Sequence, residues 1–586
     1  MSYLSPFSAI KFLFKKPVTV RYPKEEKKVS PIYRGFHTND LDKCIGCGDC
    51  EAVCQCNAIS MEPVEGKVAE PGKSNLSPVI DYGRCSYCGL CVEACPTNSL
   101  QMSKDFRYLS ADTDSFRWRP DSTHSENPGF TVDKETSILD FERKSPDMLP
   151  AEKSMVSFAE QVKVYSKELA VEEANRCIEC GLCAENCPIN MRIPEYIAAI
   201  AEGDFEKSAK YIYEDNTLPG ICGRVCTKHC EDVCALGEQG DPIAIRFLKR
   251  VPLEEIDYNS VIKPAVKDTK SKKVAIIGGG PSALTAAYDL SRWGYKTTVF
   301  EKNSSPGGAM LLCIPEYRLP IKAGLKDIDF LMSFGAELKL NTEIGKDIAF
   351  AEIMSEYDAV FLGIGLWKPT VPKMNVENHP KIVYAIDYLS KNKLGEKEFT
   401  GDNVVVIGGG NVAIDAARVA KRAQIIDNGH EGNVILASLE EREKMPAWAD
   451  EIEAALEEHI EFNNGWGIDN IDADSKEIKG LSVKKVISMF DEQGRFNPSY
   501  DTANTLYLEA DQIIIAAGQQ PSFSFIPQDM MNKIEFAGRK IKVDSNGATS
   551  LPKLFAGGDI ANRKGDIVSA IRDGHSAAVG IDKLLG

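Results

Sequence analysis

Sixteen of the eighteen cysteines in this 586-residue chain fall into four quartets, and no other feature constrains its fold as tightly. They are Cys44, Cys47, Cys50 and Cys54; Cys85, Cys88, Cys91 and Cys95; Cys177, Cys180, Cys183 and Cys187; and Cys222, Cys226, Cys230 and Cys234. The first three quartets share the spacing C-x2-C-x2-C-x3-C. That spacing lets a short loop wrap three thiolates around one corner of a cubane and send the fourth to a neighbouring cluster. The set could serve up to four [4Fe-4S] clusters, and a chain built this way moves electrons singly.

Disulfides are the ordinary reading of many cysteines, but they belong to small secreted domains. A long acidic chain with no secretory signal and clustered C-x2-C spacing is read instead as a metal-binding protein of a reducing cytoplasm. The net charge of −17 argues against nucleic acid as a partner. The apolar share of 43% is that of a protein with ample cores, and the length predicts three or four domains. No stretch approaches the roughly 20 apolar residues of a membrane span. The first forty residues break the acidic trend, with eight Lys or Arg against three acids. The segment from Tyr3 to Phe14 mixes Leu4, Phe7, Ile10, Phe12, Leu13 and Phe14 with the basic Lys11, as in a short amphipathic anchor for a partner subunit, a respiratory complex or the inner face of a membrane; a basic tail packed on its own domain is the alternative.

In a two-cluster ferredoxin fold, the first three cysteines of one motif share a cluster with the fourth of the other. Cys44, Cys47, Cys50 and Cys95 are thus expected around one cluster, and Cys85, Cys88, Cys91 and Cys54 around the second. Gln55 stands where proline is usual, and Cys56 is an extra thiol, read as a bystander or a replacement for Cys54. The runs Val18–Pro23 and Tyr33–His37 and the segment Cys85–Phe106 resemble the two-cluster ferredoxin-like subunit of respiratory complex I. The resemblance covers residues 1–107 and implies docking on an electron-transfer partner.

Residues 108–150 are polar, with scattered prolines, and read as a surface connector. Phe158, Val162, Tyr165 and Leu169 then recur at helical spacing, predicting a helix from about Met155. The stretch Glu173–Arg176 with CIECGLCAENCP, then ICGRVCTKHCEDVC, followed by two glycine-rich turns, resembles the small subunit of glutamate synthase and its relatives. These include the large subunit of the NADH-dependent ferredoxin:NADP transhydrogenase and the N-terminal part of dihydropyrimidine dehydrogenase. The resemblance spans residues 150–586. It implies one cluster on Cys177, Cys180, Cys183 and Cys226, and another on Cys187, Cys230 and Cys234 with a Glu or Gln. That last position falls on Lys249, and a protonated lysine cannot ligate iron. Cys222, His229 or solvent then remain for the fourth ligand, or the cluster is lost, so three to four clusters are expected.

Lys272 to Ile277 reads as a buried parallel strand running into Gly278-Gly279-Gly280-Pro281-Ser282-Ala283 and a helix from Leu284 to Trp293. Gly278 permits the tight turn, Gly280 the approach of a pyrophosphate and Ala283 close helix packing. A second strand, from Lys296 to Phe300, ends at Glu301, where an acid bonds a ribose 2′-OH. The pattern repeats: a strand from Asn403 to Ile407, a turn with Gly408, Gly410, Asn411 and Val412, and a helix from Ile414 to about Arg422. The resemblance implies FAD in the first fold, aided by Gly308, Gly558 and Asp559, and a nicotinamide nucleotide in the second. A helix from Asp566 to Ala578 is expected to present its N-terminus to the flavin. Gly363–Gly365 and Ala516–Gly518 are expected to be the crossings between the two folds. Cys313 stands alone and reads as a buried structural thiol.

In NADPH-using relatives two adjacent arginines clamp the 2′-phosphate a fixed interval before a Met-Pro pair. Here those positions hold Leu439 and Glu440, ahead of Met445-Pro446. A carboxylate repels phosphate but accepts from a free 2′-OH, so NADH is expected, NADPH being the alternative if Arg442 or Lys444 takes the phosphate.

The expected fold is multidomain α/β and α+β: a two-cluster ferredoxin-like domain over 1–107, a linker over 108–150, and a helical iron–sulfur domain over 151–266. A discontinuous Rossmann-like FAD domain covers 267–375 and 510–586, around a second Rossmann-like NAD(P)H domain over 376–509. The expected activity is that of an NAD(P)H-dependent FAD/iron–sulfur oxidoreductase subunit passing electrons between NADH and clusters, to or from a partner subunit or ferredoxin. No protein acid or base is expected for the hydride step. An electron-bifurcating flavoprotein and a glutamate synthase small subunit are the enzymatic alternatives, and a structural adaptor the non-enzymatic one.

Overall fold

The computed structural model describes residues 19, 29–64, 67–70, 72–106, 113–120, 128–130, 139–257, 261–263, 266–376, 378–396, 398–562 and 564–586. The basic segment from Tyr3 to Phe14 lies outside them. The chain forms two compact units, one of residues 1–142 with 233–242, the other of 143–232 with 243–586.

The first unit is built from two small antiparallel sheets. His37–Asn39 pairs with Leu100–Ser103, which pairs with Pro128–Phe130; Ile59–Pro63 pairs with Leu76–Asp81, which pairs with Arg117–Trp118. Phe36, Ile80, Leu100, Met102 and Trp118 fill the core. The expected connector over 108–150 is therefore partly structural. Trp118, 3% exposed, faces the core across from Ile80, because burying an indole outweighs leaving a polar segment loose. Residues 233–242 close onto this unit: Asp241 N–H donates to Phe141 O at 2.9 Å, and Asn98 Nδ2 to Gln239 Oε1 at 2.6 Å.

The second unit opens with helices. The single helix expected from Met155 is replaced by helices Ala151–Ser154 and Lys167–Ala174 with an irregular strap between. Tertiary bonds win over periodicity there. Gln161 N–H donates to Tyr317 O at 2.8 Å, Val162 bridges to Met148, and Ser166 caps the second helix by accepting from Leu169 N–H at 3.2 Å. Helices Ile193–Ala201, Phe205–Asp215 and Pro219–Val225 then pack through Tyr196, Ile200, Ile212 and Ile221, each fully buried. A buried carboxylate holds the bundle together: Glu173 pairs with Arg176 at 2.8 Å and accepts from the N–H groups of Lys144 and Ala244.

Two five-stranded parallel sheets follow. One runs Leu554–Ala556, Ala359–Leu362, Lys273–Ile277, Lys296–Phe300, Glu337–Lys339. The other runs Ile382–Tyr384, Gln512–Ile515, Asn403–Ile407, Asn433–Ser438, Glu461–Asn464. Their central strands are continuous apolar runs because both faces are covered; on one face of the second sheet Val405, Ile435 and Ile513 pack against Ile471, Leu481 and Val483 of an antiparallel sheet. Gln512–Ile515, expected in the second FAD segment, belongs to the nucleotide sheet, where Ile513 and Ile514 are fully buried. The chain crosses between the folds at Lys368–Pro369 and Gln519–Gln520, which pair with each other.

Candidate redox site

The three ferredoxin-type loops share one backbone. The residue before each second cysteine is left-handed (Gly46, Tyr87 and Glu179, φ 69°, 55° and 55°), as is the residue after it (Gly48, Gly89 and Gly181). So is the third residue beyond each fourth cysteine: Asn57, Asn98 and Asn190. Tyr87 and Glu179 hold a conformation that L side chains avoid, and such strain persists where a site demands it. The shared geometry arranges successive N–H groups around a centre, as an anionic cluster requires.

Side chains in the first unit gather as the fold predicts. Cys44, Cys47, Cys50 and Cys95 line one small cavity, while Cys91 faces Cys85, Cys88 and Cys54. Cys56 is exposed beside Ser86. No thiol is oxidised to a disulfide. A cubane binds each of its thiolates to a different iron, and four gathered thiols are a donor set that fits such a cluster. Burial works against the Cys44 thiolate, yet Ser77 Oγ at 3.6 Å and Lys67 Nζ at 3.3 Å hold the thiol below its ordinary pKa. The Cys91 thiol is pushed up to about 12, chiefly by burial.

In the second unit Cys226, Cys222, Cys230 and Cys187 lie near the buried Lys249, and Cys226 and Cys187 near Cys230, whereas the resemblance groups Cys226 with Cys177, Cys180 and Cys183. Helix Pro219–Val225 ends at Cys226. Asn186 Nδ2 donating to His229 O at 2.7 Å ties the two loops. His229 is partly exposed against Asp232 and Trp448.

The loop between Cys226 and Cys230 has a second role. Val225, Thr227 and His229 line a cavity of about 560 Å³ together with Gly278–Gly280, Gly308, Gly558 and Asp559, and with Asn411 and Val412 at the start of the second glycine-turn helix. A second chamber of about 350 Å³ continues past Glu301 to Lys302 and Trp367. Gly278, at φ 104°, leaves no room for a Cβ, which would stand 2.5 Å from Gly363 O; Gly280 keeps its face open. Glu301 accepts from Gly279 N–H at 2.7 Å and from Asn303, and burial raises its pKa. Burial also raises Asp559. The helix Ile567–Leu585, capped by Asp566 at Ser569 N–H, starts at the cavity. An elongated cleft with a glycine cradle, a helix N-terminus and an acid at the strand end fits FAD.

The second turn copies the first. Gly408 has φ 146°, and a Cβ there would meet Ala516 O at 2.4 Å. A Cβ at Gly409 would lie 2.6 Å from Glu440 Oε2, as one at Gly279 would lie 2.9 Å from Glu301 Oε2. Arg442 is occupied elsewhere, with its Nε on Asn464 Oδ1 at 3.1 Å and its guanidinium over Phe462 at 3.9 Å. Asn411 Oδ1 accepts from Trp448 N–H at 2.9 Å. Cys313 is 6% exposed at the cavity wall, and burial pushes its thiol up to about 12. Periodicity gave no hint of the Cys226–Cys230 loop, Trp367 or Trp448 as cavity walls; only their distance along the chain from the glycine turns separates them from the site.

Residues 272–574 match the pyridine nucleotide-disulphide oxidoreductase family, residues 154–260 dihydropyrimidine dehydrogenase domain II with its 4Fe-4S cluster, and residues 43–99 a 4Fe-4S dicluster domain. The chain belongs to the iron–sulfur flavoprotein oxidoreductases that include the glutamate synthase small chain. That NADPH enzyme's small chain from Escherichia coli is 30% identical over 76% of this chain and 97% of its own. The beta subunit of the NADP(+)-dependent formate dehydrogenase of Moorella thermoacetica is 34% identical over 69% of this chain and 60% of its own. An oxidoreductase of E. coli, AegA, is 29% identical over 93% of this chain and 86% of its own. The chain is thus an NAD(P)H-dependent oxidoreductase that binds FAD and [4Fe-4S] clusters. Among the described residues no helix is long and apolar enough to cross a membrane.

Proposed function

We propose that this chain exchanges electrons between NADH and a separate protein, either a catalytic subunit or a ferredoxin, through three or four clusters. Bound FAD supplies the conversion between hydride transfer and single-electron transfer. Gly278, Gly280, Ala283, Glu301, Gly308, Gly558 and Asp559 would hold FAD; Gly408, Gly410, Asn411, Val412 and Glu440 would hold the nucleotide. The observation that carries this reading is the shared cavity: the loop between two cluster cysteines, the FAD turn and the nucleotide helix line one space. A protein recipient is supported by the relatives named as enzyme subunits.

The preference for NADH rests on Glu440. Its carboxylate takes the place at Gly409 that Glu301 takes at Gly279, and Arg442 bonds Asn464 with its guanidinium over Phe462. Stopped-flow bleaching of the flavin is expected to give a higher rate/Kd for NADH than for NADPH. Glu440→Arg should swing that ratio toward NADPH by roughly tenfold to a hundredfold, the equivalent of one or two charge-assisted contacts. A wild-type preference for NADPH overturns the assignment.

A further inference from the structure

The connection from Val64 to Ser77 folds back over the first cysteine loop and is bonded to it. Lys73 Nζ donates to Asp42 O at 3.0 Å, Ser74 N–H to Ile45 O at 3.0 Å and Ser74 Oγ to Gly46 O at 3.1 Å. Gly46 lets the two segments come this close, since a Cβ there would stand 2.0 Å from Ser74 Oγ. Lys67 is the member of this clasp that reaches sulfur. An ammonium carries three N–H donors, and those of Lys67 meet Cys44 Sγ at 3.3 Å, Ser77 Oγ at 3.2 Å and Leu76 O at 2.5 Å. None of these three acceptors is a carboxylate. Ser77, fully buried, passes its own hydroxyl proton on to Cys44 Sγ at 3.6 Å. The acceptor that becomes negative when iron is bound is the sulfur of Cys44. The other ring of this unit is furnished differently. Tyr87 N–H donates to Cys85 Sγ at 3.4 Å, Ala58 N–H to Cys54 Sγ at 3.3 Å, and His37 Nε2 stands 3.3 Å from Cys91 Sγ. Arg34 reaches that ring at the carbonyl oxygen of Cys88 and is itself exposed.

We propose that Lys67 tunes the cluster ringed by Cys44, Cys47, Cys50 and Cys95: its ammonium, with Ser77 beside it, donates to the Cys44 thiolate and raises that cluster's reduction potential. One electron arriving on a [4Fe-4S]2+ core with four thiolates turns a dianion into a trianion, with no bond made or broken and no proton exchanged. A cation against one sulfur stabilises the trianion more than the dianion, and hydrogen bonds to sulfur act in the same direction. Partial burial spares this contact the screening that weakens an exposed charge such as Arg34. Lys67 is thus a positioning residue for charge, not a ligand, and it makes this ring a favoured resting place for an electron within the ferredoxin-like unit. The electron's source is the reduced flavin of the proposed function, and the inference rests on that reading only there.

The test uses the full chain purified anaerobically, with Lys67→Met, Lys67→Arg, Ser77→Ala, Cys44→Ser and, as a control from the same connection, Lys73→Met. Iron, sulfide and flavin content are measured, and redox titrations with dithionite are followed by EPR. Cys44→Ser, able to ligate through oxygen, should alter the g-values of one reduced-cluster signal and so mark the one to follow. Lys67→Met is expected to keep its iron while the midpoint potential of that signal falls, by the equivalent of roughly a tenfold loss in the reduction equilibrium, about 59 mV for one electron. The other signals should stay in place. Lys67→Arg should hold the potential, and Ser77→Ala should lower it by less than Lys67→Met does. Lys73→Met loses a bond of the clasp but no contact with sulfur, and should leave every potential unchanged. An unchanged potential in Lys67→Met overturns the proposal, as does an equal fall in Lys73→Met, which would make the effect one of loop structure. Where Lys67→Met loses its iron, an unchanged potential in Ser77→Ala overturns it instead. Dithionite delivers the electrons throughout, so failure here and failure of the proposed function are told apart.

Discussion

Gly278 and Gly408 occupy equivalent corners of two turns, each with a left-handed φ and a carbonyl oxygen where a Cβ would go, 2.5 Å away at Gly278 and 2.4 Å at Gly408. A methyl group there forces the turn to shift, and the two substitutions should have separable effects. Gly278→Ala is expected to yield protein with little bound flavin but a normal complement of iron. Gly408→Ala should retain flavin and iron while NADH binding weakens by about tenfold or more, the scale of 1–3 kcal/mol of backbone strain. Flavin-to-protein ratio and NADH titration of flavin fluorescence check the pair. Equal flavin loss in both would show that the two turns do not serve separate cofactors. At the same scale, Glu301 and Glu440 stand in equivalent places, each carboxylate against the middle glycine of its turn.

Among the elements, the helix Asn411–Ala423 carries a buried charge network, with Arg418 and Arg422 paired to Glu458. Glu458 accepts from Arg418 at 3.0 and 2.8 Å and from Arg422 at 2.5 and 2.7 Å, with Tyr317 beneath both guanidiniums. Burial works to raise the Glu458 pKa, but Arg422 and Arg418 outweigh it and hold the carboxyl below its ordinary value. A carboxylate depressed in the folded state contributes stability above its unfolded pKa, about 4.5, and loses it as pH falls through the folded value. Glu458→Gln leaves two buried cations underpaired and should cost about 3–5 kcal/mol. Amide exchange across Asn411–Ala423 is then expected to quicken by roughly two to three orders of magnitude near neutral pH, and the difference from the natural chain should shrink below pH 4. Unchanged exchange would remove the network from the stability account.

Local signals were readable where one segment contains its own reason. The strand–glycine–helix units were legible because the apolar run, the turn and the strand-end acid lie within about thirty residues, and the cysteine loops because their spacing alone defines them. The strap over 155–166 was misread because its apolar spacing serves three different contacts, with Phe158 on Tyr317 and Gln161 on both Tyr317 and Arg418. Trp118 was read as linker because its partner strand lies far back at Ile80. The grouping of Cys226 with Cys187 depends on where helix Pro219–Val225 ends in space, which spacing does not report.

On the scale of the whole molecule, two dinucleotide folds and one cluster loop open onto a common cavity, and the ferredoxin-like unit supplies two further cysteine rings. The central proposal is that NADH and the clusters exchange electrons through the flavin. Anaerobic titration of the cluster-loaded protein with NADH and, separately, NADPH, followed by absorbance and EPR, tests it most directly. The account predicts that NADH bleaches the flavin and then raises reduced-cluster signals, with NADPH reacting more slowly. Bleaching by NADPH in preference to NADH, or a flavin reduced by NADH with every cluster left oxidised, would contradict it.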